Sequence, residues 1–236
     1  MATNTKLGDR AQDSYVTASQ ADTYFGNRRD TTEWDNIATT SNKEVVLKQA
    51  AQDIDIFNYV GEKYYDSQGL AFPRNDHKIV TGNCTASITN TSFRHGNLKS
   101  STYGKYPTSY WKYGSVHITT GTPLNDIKLI ASSNTVTGSI TVATFTATPT
   151  TNTGFIVFAP IDKNIRNAQC EQALFILKNA NIESLYNYRD AGAREVEIGD
   201  VRVSFGSSAS DKIAISPEAR KLLSRWIRKQ VKVGRA

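Results

Sequence analysis

The stretch GSITVATFTATPTTNTGFIVFA, residues 138–159, decides how this chain is read. Its apolar runs are short, β-branched or aromatic, and Gly, Pro and Asn punctuate them, which is the chemistry of strands and turns rather than of helices. The pieces GSVHIT (114–119) and DIKLIA (126–131) repeat the pattern upstream. Between residues 76 and 160, 33 of 85 positions are Ser, Thr or Asn and charged groups are scarce. No helical periodicity survives there, so the span predicts several short strands in a small sandwich or barrel.

Outward from this segment the periodicity becomes helical on both sides. In YVTASQADTYF (15–25), Thr17 and Gln20 make a capping box, followed by Ala21, Tyr24 and Phe25 at helical spacing. In SNKEVVLKQAAQDIDIFNYV (41–60), Ser41 and Glu44 suggest a second box ahead of a stripe of Val46, Leu47, Ala50, Ala51, Ile54 and Phe57. Trp34 lies on the connection between the two helices. A broad apolar face in IDKNIRNAQCEQALFILKNA (161–180) predicts a further helix. REVEIGDVRVSF (194–205) changes its alternation across Gly199-Asp200, as a tight hairpin turn or a bulge requires. Ser216 and Pro217 mark the start of a last helix. The expected class is therefore α+β. A discontinuous α-helical bundle core with a short β-hairpin, from residues 1–75 and 160–236, is interrupted by an inserted all-β domain at 76–159. Beads on a string would leave the wide helix faces in water.

The segment QGLAFPR (68–74) closes the first helical part. Leu70 and Phe72 are expected to pin the chain to the core, and Pro73, without an N–H and with φ fixed, stops any continuing element. These three residues read as a clasp rather than as a site.

Several function classes lack their residues. Cys84, Cys170, His77, His95 and His117 have no metal-ligand spacing, and two buried free thiols are expected. Nucleotide-binding and hydrolase motifs are missing, and Asp53 and Asp55 point to different sides of their helix. No catalysis, cofactor, metal site or membrane span is expected. The formal charge of +6 resides in residues 216–236, where seven basic groups face one acid. Ala219, Leu222, Leu223, Trp226 and Ile227 make an apolar stripe there, with cations around it. That element suits a solvated face, a dock for an acidic groove, or phosphate contact. A second candidate is SSTYGKYPTSYWKYG (100–114), where Tyr103, Tyr106, Tyr110, Trp111 and Tyr113 interleave with Lys105 and Lys112. It suits base stacking, contact with a protein partner, or local packing.

The pieces YVTASQADTYFGNR, Trp34, KEVVLKQAAQDID and LAFPR are followed in order by IRNAQCEQAL, VEIGDVRVSF and SPEARKLLSRWI. In this order they resemble the phage head-to-tail connector proteins, also called adaptor or head-completion proteins. Some members carry the description DnaT-like single-stranded DNA-binding protein. The resemblance covers 15–75 and 160–230 and is silent on the intervening span, where members usually have a short loop. It implies a structural virion protein at the neck, made in the host cytoplasm. Such a protein forms a ring, commonly of twelve neighbouring subunits, beneath the portal protein. It would contact tail, tail-terminator or stopper proteins and, transiently, packaged double-stranded DNA. The basic extension would then dock on the portal through Arg225, Arg228, Lys229, Lys232, Val233 and Arg235. The alternative reading is a single-stranded DNA-binding accessory protein of replication.

Overall fold

The computed structural model describes residues 2–86, 88–100, 106–179, 195–198, 201–204 and 215–228. The chain divides into two compact units. One is built on Val16–Phe57 and Asn164–Ile227, the other on Asn4–Tyr15 and Asn58–Lys163, with Arg228.

The second unit is dominated by one antiparallel sheet of six strands. These are β1 (Ile79–Asn83), β2 (Ser92–Arg94), β3 (Ser115–Thr120), β4 (Ile127–Asn134), β5 (Ser139–Val142) and β6 (Gly154–Phe158). Their spatial order is β1-β6-β3-β4-β5-β2. The run GFIVF, read as one strand among several, forms β6, laddered to β1 on one side and β3 on the other. Pairing shifts by a residue between Ile118 and Thr120 and again between Ile130 and Ser132. Such bulges bend a strand and increase its twist. The sheet consequently curls into a half-barrel, and the chain beyond β1 reaches the far edge strand. There the Arg94 N–H donates to the Ala86 carbonyl at 2.9 Å and the Thr85 N–H to the Arg94 carbonyl at 3.1 Å. Inside lie Val80, Phe93, Leu98, Trp111, Val116, Ile118, Ile130, Ile140, Phe155 and Val157.

In the other unit, α1 (Ala18–Phe25), α2 (Thr32–Asp35), α3 (Thr40–Asp55) and α4 (Lys163–Lys178) surround a smaller cluster. It holds Val16, Ala21, Phe25, Trp34, Leu47, Ala50, Cys170, Ala173 and Leu174. The Thr17–Gln20 capping box is present at α1. At α3 the cap is Thr39, whose hydroxyl accepts the Asn42 N–H at 3.2 Å, so the helix begins ahead of the expected Ser41. Trp34 is fully buried, its indole N–H on Asp22 Oδ1 at 2.8 Å. Two buried glutamines tie α4 to its surroundings. Gln169 donates to the Leu47 carbonyl at 2.7 Å and Gln172 to Asp53 at 2.8 Å. A hairpin of β7 (Glu195–Ile198) and β8 (Val201–Ser204) pairs Ile198 with Val201, bracketing the expected turn, whose own residues lie outside those described. The helix α5 (Pro217–Leu223) starts on the Ser216 cap as expected.

The sheet overturns the expected discontinuous α-helical bundle core. The chain is mostly β in its organisation, and the described helices are few. The physical reason is length. Only α3 and α4 reach 16 residues, and α1, α2 and α5 have 8, 4 and 7. Helices this short present little apolar area, whereas curling puts apolar residues of all six strands into one larger core.

Candidate nucleic-acid interface

Residues 106–114, the described part of the Tyr-rich loop ahead of β3, carry both a buried ring and a solvent-facing one. Trp111 is 1% exposed and joins the half-barrel core. Its indole N–H donates to the Leu98 carbonyl at 3.1 Å, and its backbone N–H donates to Ser133 Oγ at the same distance. It therefore holds the loop and has no face for a ligand. Tyr110 is half-buried against the same core, its ring 4.9 Å from Trp111 and 4.2 Å from Tyr106. Burial and the neighbouring Tyr106 push the Tyr110 phenol above its ordinary value. Tyr113 is the ring that meets solvent, at 40% exposure, with the Lys112 ammonium 4.9 Å from its centroid. Tyr103 lies outside the described residues.

The closing element presents cations differently from the expected long stripe. Ala219 and Leu223 are buried, but α5 ends at Leu223 and a turn follows, so Trp226 and Ile227 do not continue the helix. Arg220, Lys221 and Arg225 are exposed. The Arg220 guanidinium lies 5.6 Å from the Phe57 ring and that of Arg225 lies 5.7 Å from the Trp226 ring. Arg228, in the other unit, is exposed while its backbone N–H donates to the Asn58 carbonyl at 2.8 Å. Lys229, Lys232, Val233 and Arg235 lie outside the described residues.

Leu70, Phe72 and Pro73 are all buried, and the Phe72 ring packs on Tyr59 at 4.8 Å and Tyr15 at 6.0 Å. The organiser of this clasp is a residue the sequence reading passed over. Buried Gln68 donates its amide to the Leu70 and Pro73 carbonyls at 2.8 and 2.9 Å, and its Oε1 accepts the Tyr65 N–H at 3.0 Å. A second unforeseen feature is the segment Asn4–Tyr15, which carries no regular element yet is held on β3. The Leu7 N–H donates to Ser115 Oγ at 2.7 Å, and His117 Nε2 donates to the Leu7 carbonyl at 2.6 Å. Polar, Gly-containing sequence gives no periodic signal for such a strap.

Cys84 and Cys170 are free and buried, and burial pushes the Cys84 thiol up to about 12 and the Cys170 thiol higher still. Thiols so raised are poor nucleophiles at neutral pH. Among the described residues no three His, Cys, Asp or Glu groups could hold a metal ion. Also among them, no helix is long and apolar enough to cross a membrane. What the exposed side chains offer is flat aromatic surface beside fixed positive charge, which can stack bases and meet phosphates.

Residues 3–89, less than half of the chain, match the model of a family described as "Putative DnaT-like ssDNA binding protein". No curated protein shows significant similarity to the chain.

Proposed function

We propose that this protein binds single-stranded DNA, as an accessory factor of replication. The observation that carries the reading is the match of residues 3–89 to a family described as binding that ligand. The chemistry of the exposed side chains agrees with it. Exposed Tyr113 with half-buried Lys112, and half-buried Trp226 with exposed Arg225, pair an aromatic ring with a cation, the combination that holds a flexible strand without reading its sequence.

The test is fluorescence anisotropy of the full chain with a labelled oligo-dT of about twenty nucleotides and with a duplex of equal length. The oligo-dT should bind more tightly. Its log affinity should fall linearly with log salt between about 50 and 200 mM, by about 0.7 for each phosphate contacted. Absence of oligo-dT binding at the lower salt overturns the reading.

A second reading, the head-to-tail adaptor of a phage neck, is favoured by the collinear order of elements across 15–75 and 160–230. In it the chain forms a ring, and exposed Arg225 and Arg228 belong to the part that engages the portal. Mixing the purified protein with its portal and imaging the product separates the readings. Ring density on the portal, together with no affinity for oligo-dT, selects the adaptor.

A further inference from the structure

We propose that Tyr113 and Lys112 form a base-stacking subsite for single-stranded DNA; this rests on the function proposed above and names where on the chain a base would sit. Tyr113 adopts φ 70°, a left-handed conformation that a bulky side chain enters only with strain. Glycine would take it freely, so a tyrosine here costs stability that its fold does not need. The position is nonetheless tightly determined. The Tyr113 N–H donates to the Ile130 carbonyl at 3.0 Å, the Lys112 N–H to the Ser109 carbonyl at 3.0 Å, and Trp111 beside them is locked into the core. A strained backbone held by its surroundings, with its large ring 40% exposed, marks a ring kept for contact rather than for packing.

The charges nearby select the occupant. Lys112 has no carboxylate partner among the described residues, and its ammonium stands 4.9 Å from the Tyr113 centroid. Residues 76–160 contain six Lys and Arg against Asp76 and Asp126. Asp126 is already engaged, by Lys128 at 3.0 Å and by the Thr146 N–H at 2.8 Å. This span therefore presents unneutralised cations and one preset aromatic face. A nucleobase stacks on the ring while its phosphate meets the ammonium, and any base serves because every base has a π-face.

The experiment compares wild-type full-length protein with Tyr113→Gly, Tyr113→Phe and Lys112→Gln by oligo-dT anisotropy and thermal melting. Tyr113→Gly should melt at the same or a higher temperature while losing about tenfold in affinity. Tyr113→Phe should bind like wild type. Lys112→Gln should weaken binding severalfold and make the salt slope shallower by about 0.7. If wild type binds and Tyr113→Gly binds equally well, the subsite is wrong and the single-stranded DNA reading stands. If wild type fails to bind oligo-dT, both fall.

Discussion

The Phe93 and Phe155 rings stand 4.7 Å apart although the strands that carry them, β2 and β6, have three others between them in the sheet. In a flat sheet that separation would be about 19 Å, four strand spacings. Curling is what closes the gap, and the aromatic contact is both its consequence and its support. Phe93→Ala should therefore cost about 3–5 kcal/mol, from lost burial plus the cavity left behind. Urea unfolding followed by far-UV circular dichroism measures it, and a loss below about 1 kcal/mol would mean that the half-barrel does not depend on this pair.

His77 and His117 should make the protein acid-sensitive. His77 Nε2 donates to the Ala159 carbonyl at 2.7 Å and His117 Nε2 to the Leu7 carbonyl at 2.6 Å. Burial holds both imidazoles below the ordinary value of 6.5; the carbonyl bonds, with Asp76 beside His77 and Asp9 beside His117, oppose it only partly, and Lys6 reinforces it at His117. The unfolded chain takes up protons near the ordinary value while the folded chain resists, so the unfolded state binds more of them as pH falls. Stability is then complete above about pH 6.5 and is lost progressively below it. The urea midpoint should be lower at about pH 5.5 than at 7.5, and His117→Gln should flatten the difference. A midpoint equal at both values contradicts this account.

Gln68→Ala should destabilise more than an ordinary surface change. Removing the amide leaves the Leu70 carbonyl and the Tyr65 N–H without their partner and takes one of two donors from the Pro73 carbonyl, which keeps the Tyr64 N–H at 3.1 Å. Groups orphaned in this way cost about 1–3 kcal/mol each where water cannot reach them, so a total of about 2–4 kcal/mol is expected. Differential scanning calorimetry gives the shift. A melting temperature within a degree of wild type would show that water replaces the amide.

Trp111 and Tyr113, two positions apart in one loop, should behave oppositely. Trp111→Ala removes a core side chain and should cost about 3–5 kcal/mol, with any loss of DNA affinity following from unfolding. Tyr113→Ala exchanges an exposed ring and should shift stability by about 0.5 kcal/mol or less. Parallel chemical denaturation of the two variants decides the matter, and equal destabilisation would show that the loop is packed throughout.

Local chemistry is legible in the sequence. The Thr17–Gln20 box, the Ser216 cap with Pro217, the hairpin around Gly199-Asp200 and the run 154–158 each depend on neighbours in the chain, and each can be read from them. The Tyr-rich loop was legible as composition, but which of its rings faces water was not. Trp111 is a core residue because Leu98 and Ser133 come to it from distant positions, and nothing in YWKY records that.

What the amino-acid order determined by itself is which spans form strands and which form helices, and which carry Thr and which carry charge. Only the tertiary structure decided which element dominates. Bulges at two points of the ladder bend six short strands until their apolar faces meet in one core, while short helices gather a smaller one. It alone also placed Tyr113 in a left-handed conformation at the surface, because that φ is imposed by the Ile130 carbonyl and the buried Trp111, not by tyrosine's own preference. Periodicity reports a residue's neighbours along the chain; curvature, burial and strain come from partners brought together only on folding.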